Sequence, residues 1–168
     1  MKNWNSKMLA AAGLLICSAT DAQKNQVALH SIQQAHHATQ HPPNARGGGV
    51  PVNDLCGSVV PEALEIGRPL TFTGTTVGAT DTGDYEIGSE LDGYAAVVWH
   101  AFTTTTCGII TVNYCGTSPA FTNNAGFITT FCPAGDNYIP SSTVVDCGDG
   151  NVLITYNNIP AGTYNLPV

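Results

Sequence analysis

Asp81, Asp84, Glu86, Glu90 and Asp92 crowd one stretch of this 168-residue chain, and Asp146 and Asp149 follow on a later one. Carboxylate oxygens grouped on loops are the hard ligands that Ca²⁺ takes, about six to eight at a time. Asp81, Asp84, Glu86, Asp146 and Asp149 are therefore the candidate calcium ligands, and Ca²⁺ is the one cofactor the residues suggest. The run Asp81-Thr82-Gly83-Asp84 does not match a dedicated calcium loop, and solvated acidic loops are the commoner meaning of such clusters. Paired carboxylates also carry out glycoside hydrolysis, but nothing in the sequence fixes a separation between two of them or raises a pKa.

The other reactive side chains are sparser. His30, His36, His37 and His41 precede position 50, without cysteine or acidic partners, and read as incidental. His100 directly follows Trp99, so on a strand the two point to opposite faces. With Trp99 inward, His100 faces out and becomes a candidate ligand contact, together with Tyr94. Tyr156 and Tyr164 read as core. No serine sits in a G-x-S-x-G elbow, and Gly47-Gly48-Gly49 lacks the Lys-Ser/Thr of a phosphate loop. No catalytic residue is assigned.

The cysteines depend on compartment. Lys2 and Lys7 precede an apolar run from Met8 to Cys17, and the small residues Ser18-Ala19-Thr20-Asp21-Ala22 follow. That is the layout of a secretory signal, with cleavage expected after Ala22. A lipoprotein signal on Cys17 is the rival, disfavoured by the branched Ile16 before it. The run is too short to span a bilayer, which takes about 20 apolar residues. Cell-surface or secreted localisation follows, with no membrane insertion. Cleavage leaves Cys56, Cys107, Cys115, Cys132 and Cys147, which should pair in an oxidising compartment. Cys132 with Cys147 is the expected bridge, and Cys56 is assigned to Cys107 or Cys115. The odd cysteine is either a free thiol or one with a partner beyond this chain. No CxxC knuckle suggests zinc.

These groups need a scaffold, and composition divides it. Residues 1–22 are the expected signal, and 23–50 a His/Gln/Pro/Gly-rich linker with little apolar surface to offset ordering entropy. Residues 51–168 turn to Thr, Val, Ile, Tyr and Gly, the stock of strands and turns. Arg68 is the only basic residue in that domain against eleven acids, a formal charge of −10. Phosphate backbones need Lys and Arg, so nucleic acid is excluded as a partner. Strands are predicted at 69–77, 95–103, 108–114, 126–131, 151–156 and 162–168. Several alternate apolar with polar, as in Ile110-Thr111-Val112-Asn113-Tyr114. Short strands separated by turn clusters mean an all-β antiparallel sandwich or jelly roll.

Asn53-Asp54-Leu55-Cys56, Thr75 to Thr80, Val97-Val98-Trp99-His100-Ala101-Phe102-Thr103, Gly108 to Gly116, Cys147-Gly148-Asp149 and Pro160-Ala161-Gly162-Thr163-Tyr164 occur in that order. The ordered set resembles the prepeptidase C-terminal-like β-sandwich domain of secreted Bacteroidetes proteins. The resemblance covers residues 53–168. It implies a jelly-roll accessory module of extracellular hydrolases and adhesins, calcium binding in some members, and a type IX sorting domain in full-length ones. Two departures stand out: His100 replaces the usual aromatic after Trp99, and a last strand is expected after Val168. The chain is accordingly expected to be an N-terminal piece of a longer protein. The functional expectation is a non-catalytic module binding polysaccharide or a surface protein. An accessory domain of a secreted hydrolase and a spacer in a surface adhesin are the alternatives.

Overall fold

Ile110 and Val112 are buried while Thr111 and Asn113 are not, the period-two pattern of a strand with one covered face. The same logic runs through the computed structural model, which describes residues 3–11, 49–118, 120 and 124–168. Among these residues ten strands form two five-stranded sheets, an all-β sandwich.

The strands are β1 (Asn3–Ala11), β2 (Glu62–Ala63), β3 (Leu70–Thr75), β4 (Trp99–Thr104), β5 (Gly108–Asn113), β6 (Phe127–Thr129), β7 (Tyr138–Pro140), β8 (Thr143–Asp146), β9 (Val152–Ile159) and β10 (Gly162–Pro167). The first sheet runs β3-β1-β5-β9-β8 and the second β2-β4-β10-β6-β7. All pairings are antiparallel except β2 with β4. A single-turn 3-10 helix, Cys56–Ser58, is the helical element among the described residues. No helix there is long and apolar enough to cross a membrane.

The main core lies between the sheets. Phe72, Ile110, Val112, Tyr114, Ile154 and Tyr156 from the first sheet meet Val98, Phe102, Ile128, Tyr164, Leu166 and Val168 from the second. A second apolar layer packs on the far side of β4 and β6. There Trp99 and Phe127 are covered by Cys56, Tyr85, Leu91, Val97, Ala125 and Ala134, which arrive on loops. The outer face of the second sheet is therefore covered at Trp99 and Ala101.

Six of the ten strands fall where alternation places them. Residues 95–98 are irregular and β4 begins at Trp99, although Val98 and Val168 exchange backbone hydrogen bonds of 3.0 and 2.9 Å. β9 runs beyond Tyr156 through a bulge, where Asn157 and Asn158 stand against the single residue Ile109. Asn158 takes φ 56°, the left-handed conformation that Asn tolerates better than most residues. β1 comes from the stretch read as the export signal; the rest of that signal, and the linker to residue 48, lie outside the described residues.

Candidate functional site

The segment 50–60 is non-strand backbone, with one 3-10 turn, fastened at Asn53, Asp54 and Cys56. Asn53 holds the first residue of β4 twice: its carbonyl accepts from Trp99 N–H at 2.7 Å, and its side-chain amide donates to the Trp99 carbonyl at 2.9 Å. Buried Asp54 accepts from both the backbone N–H and the hydroxyl of Thr80, at 2.6 and 2.7 Å. Cys56 is bridged to Cys132. Exposed apolar residues flank these anchors on both sides, with Leu55 between them. Val52 is 96% exposed and Val60 82%, with Val50 and Leu55 also exposed.

Two shallow grooves flank this ridge. One, of about 370 Å³, is lined by Val52, Val59 and Val60 with Asn53, Ser58, Glu62, Phe72, Thr73 and His100. The other, of about 410 Å³, is lined by Val50, Val52, Leu55, Asp54, Thr80 and Thr82. Val52 and Ser58 belong to both. The Ser58 hydroxyl donates to the Leu55 carbonyl at 2.6 Å, tightening the turn rather than facing a base.

His100 lies in the first groove, but not as its position beside Trp99 suggests. The two side chains do point to opposite faces. Trp99 enters the loop-covered layer, and His100 turns into the gap between the sheets, where its ring stacks on Phe72 with centroids 4.3 Å apart. Burial lowers the imidazole pKa to about 4, so the ring is neutral at physiological pH. Its Nε2 lies 3.5 Å from the Asn53 amide nitrogen. The outward reading is thereby corrected: the alternation is right, but the face opposite Trp99 is the sandwich interior. Tyr94 does not join it. Tyr94 packs edge-on against Tyr85 in the loop layer, with centroids 5.9 Å apart.

The acidic residues are distributed among different tasks. Asp84 is fully buried and accepts the Trp99 indole N–H at 2.7 Å. Burial pushes its pKa up to about 6 against the pull of that hydrogen bond, with Asp54 and Asp81 adding repulsion. Asp149 accepts from Gly116 N–H at 2.6 Å and Asn151 N–H at 2.9 Å, which holds its carboxyl below the usual range. Asp146 accepts from Gly148 N–H at 2.7 Å. Glu86 lies against Gly135, next to the isolated bridge between Tyr85 and Ala134 that joins two loops. Among the described residues no three His, Cys, Asp or Glu side chains gather as metal ligands. The five calcium candidates are thus not brought together as one cluster.

The cysteines pair differently from expectation. Cys132 joins Cys56, and Cys147 joins Cys115. Proximity along the chain suggested Cys132 with Cys147, but Cys147 directly follows β8 of the first sheet and bridges to Cys115 just past β5. Cys132 leaves β6 in the second sheet, under the 3-10 turn. Cys107 is also disulfide-bonded, its partner lying outside the described residues, so the free-thiol reading is overturned. Such bridges are typical of oxidising, extracellular surroundings.

Comparison of the chain with protein-family models, curated proteins and solved structures finds no match in any of the three. Sequence reasoning missed the ridge itself. The signal was present in Val50-Pro51-Val52-Asn53-Asp54-Leu55-Cys56, where apolar residues alternate irregularly with polar anchors.

Proposed function

We propose that this protein is a secreted, non-catalytic β-sandwich module that binds a surface or matrix protein through the Val50–Val60 ridge. The observation that carries this reading is Val52, an aliphatic side chain left 96% exposed on backbone fastened at Asn53, Asp54 and Cys56. Apolar residues displayed on rigid backbone lose little entropy when a partner covers them, and contiguous exposed apolar surface marks interaction sites. The likeness to prepeptidase C-terminal-like domains supports an accessory role, whether beside a hydrolase or within an adhesin.

A glycan is the second reading, favoured by Asn53, Ser58, Glu62, Thr73 and His100 around the Phe72 ring in one groove. Both readings are tested by passing the folded chain over immobilised matrix proteins and a panel of immobilised polysaccharides. Saturable retention on a protein surface supports the first and on a polysaccharide the second. Retention on neither removes the binding-module reading.

A further inference from the structure

Among the described residues the two sheets have four edge strands, and the sequence treats them differently. β2 is two residues long and β7 ends on Pro140, which has no N–H to offer; both devices blunt an edge. β3 alternates threonine with Leu70 and Phe72, so its apolar side chains share one face. β8 is the fourth, paired there with β9 alone. It reads Thr143-Val144-Val145-Asp146, and every residue is exposed, Val144 at 52% and Val145 at 55%.

Consecutive strand residues face opposite ways. Val144 stands across from Ile154, which is in the core, so it lies on the inner face at the margin of the sandwich. Val145 stands across from Leu153 and lies on the outer face. The backbone follows the same alternation. Cys147 N–H donates to the Asn151 carbonyl at 2.9 Å, which continues the β8–β9 register by one pair. Antiparallel ladders bond at every second residue, so Val145 turns its N–H and C=O to β9, while Val144 and Asp146 turn theirs outward. A partner surface laid on one face of the sheet would cover one valine and leave these outward groups without a ladder. A strand added at the edge covers both valines and pairs the outward groups. Charge then selects among strands. Residues 51–168 carry a formal charge of −10, and their one basic residue, Arg68, is paired with Glu65. Asp146 ends β8 and Asp149 lies in the turn that follows, both exposed. A second copy would bring the same charge back to this edge, whereas a basic strand offsets it.

We propose that the outer edge of β8 is a strand-addition site for a basic, extended segment of a partner protein. The segment runs antiparallel to β8, with a β-branched residue beside Val145 and a Lys or Arg opposite Asp146. Its main chain completes the ladder at Val144 and Asp146, and its side chains supply the selection. β8 lies at the opposite edge of the first sheet from β3, whose Phe72 and Thr73 line a groove beside the Val52 ridge, so neither site depends on the other.

The test uses the full chain, folded and oxidised, and the fluorescent peptide Lys-Thr-Lys-Val-Ile-Thr, whose second lysine falls opposite Asp146. One control peptide carries Glu in place of both lysines. Another carries Pro in place of Ile, opposite Val144, where a ladder donor is lost. In the free chain the Val144 and Asp146 amides should exchange with deuterium at least about tenfold faster than that of Val145. Saturating lysine peptide should slow both, at one peptide per chain. Each control should bind at least about tenfold more weakly, the Glu peptide through repulsion and the Pro peptide through the lost bond. An Asp146→Lys chain should reverse the preference and take the Glu peptide over the lysine one. Equal binding of the Pro peptide would reduce the attraction to bulk charge and overturn the site. So would protection of Val144 and Asp146 in the free chain, a dimer that pairs β8 with β8, or no uptake of the lysine peptide. A folded Asp146→Lys chain that still prefers lysine also overturns it. If that variant does not fold, the three peptides on the parent chain decide.

Discussion

Asp84 and His100 are two buried titratable groups whose effects on stability oppose each other. The folded pKa of Asp84, about 6, lies above its ordinary 3.8, so its contribution is full below pH 3.8 and is lost as pH rises through 6. His100 is lowered from 6.5 to about 4, so its contribution is full above pH 6.5 and is lost as pH falls through 4. Each shift corresponds to about 3 kcal/mol, and across pH 4 to 6 they nearly cancel. Denaturant unfolding across that range is therefore expected to show opposite slopes in two variants. Relative to the parent chain, Asp84→Asn should gain stability with rising pH, and His100→Gln should lose it. A variant that keeps the parent profile contradicts the assignment for its residue. The tyrosines offer a second contrast. Tyr164 donates to the Pro160 carbonyl at 2.8 Å, whereas the buried Tyr156 hydroxyl has no hydrogen-bond partner among the described residues. Tyr164→Phe should cost about 1 kcal/mol, and Tyr156→Phe should be neutral or stabilising in thermal unfolding. Sequence showed that Trp99 and His100 diverge, because period-two geometry is local. It did not show which face was covered, because that depends on loops packing over the second sheet from distant positions.

At the scale of elements, the long alternating strands were legible and the short ones were not. β5, β9 and β10 carry their burial pattern in consecutive residues. β2 and β7 have two and three residues, too few for any period to register, and they form because neighbouring strands offer ladder partners. β8 is exposed throughout and owes its place to pairing with β9. The disulfides were legible as a compartment signal but not as a connectivity, since they join elements that only the sheet topology brings together. Their sequence separations are 76 for Cys56–Cys132 and 32 for Cys115–Cys147. On loop-closure entropy, replacing each pair by alanine should cost roughly 4.5 and 3.7 kcal/mol respectively. Denaturant unfolding of the two double variants checks the order. A larger loss from the Cys115–Cys147 pair would show that local packing around that bridge outweighs chain entropy.

At the scale of the whole molecule, the described residues form an acidic sandwich that carries an apolar ridge. Arg68, the only basic residue of residues 51–168, is paired with Glu65 at 2.7 Å on the surface. Long-range steering therefore favours basic or neutral partners and fades with salt. The ridge lies where four independent anchors converge: the Asn53 clamp on β4, the Asp54 bonds to Thr80, the Cys56 bridge and the Ser58 turn. None of these is visible in hydrophobic periodicity, which explains why the segment read only as the opening of a domain. The most direct measurement compares the parent chain with Val52→Asp/Val60→Asp on the immobilised surface that retains the parent. Both side chains are solvent-exposed, so the thermal unfolding midpoint should change little. Retention should fall by at least about tenfold, as charge enters an apolar contact. Unchanged retention in a folded variant would contradict the ridge as the binding surface.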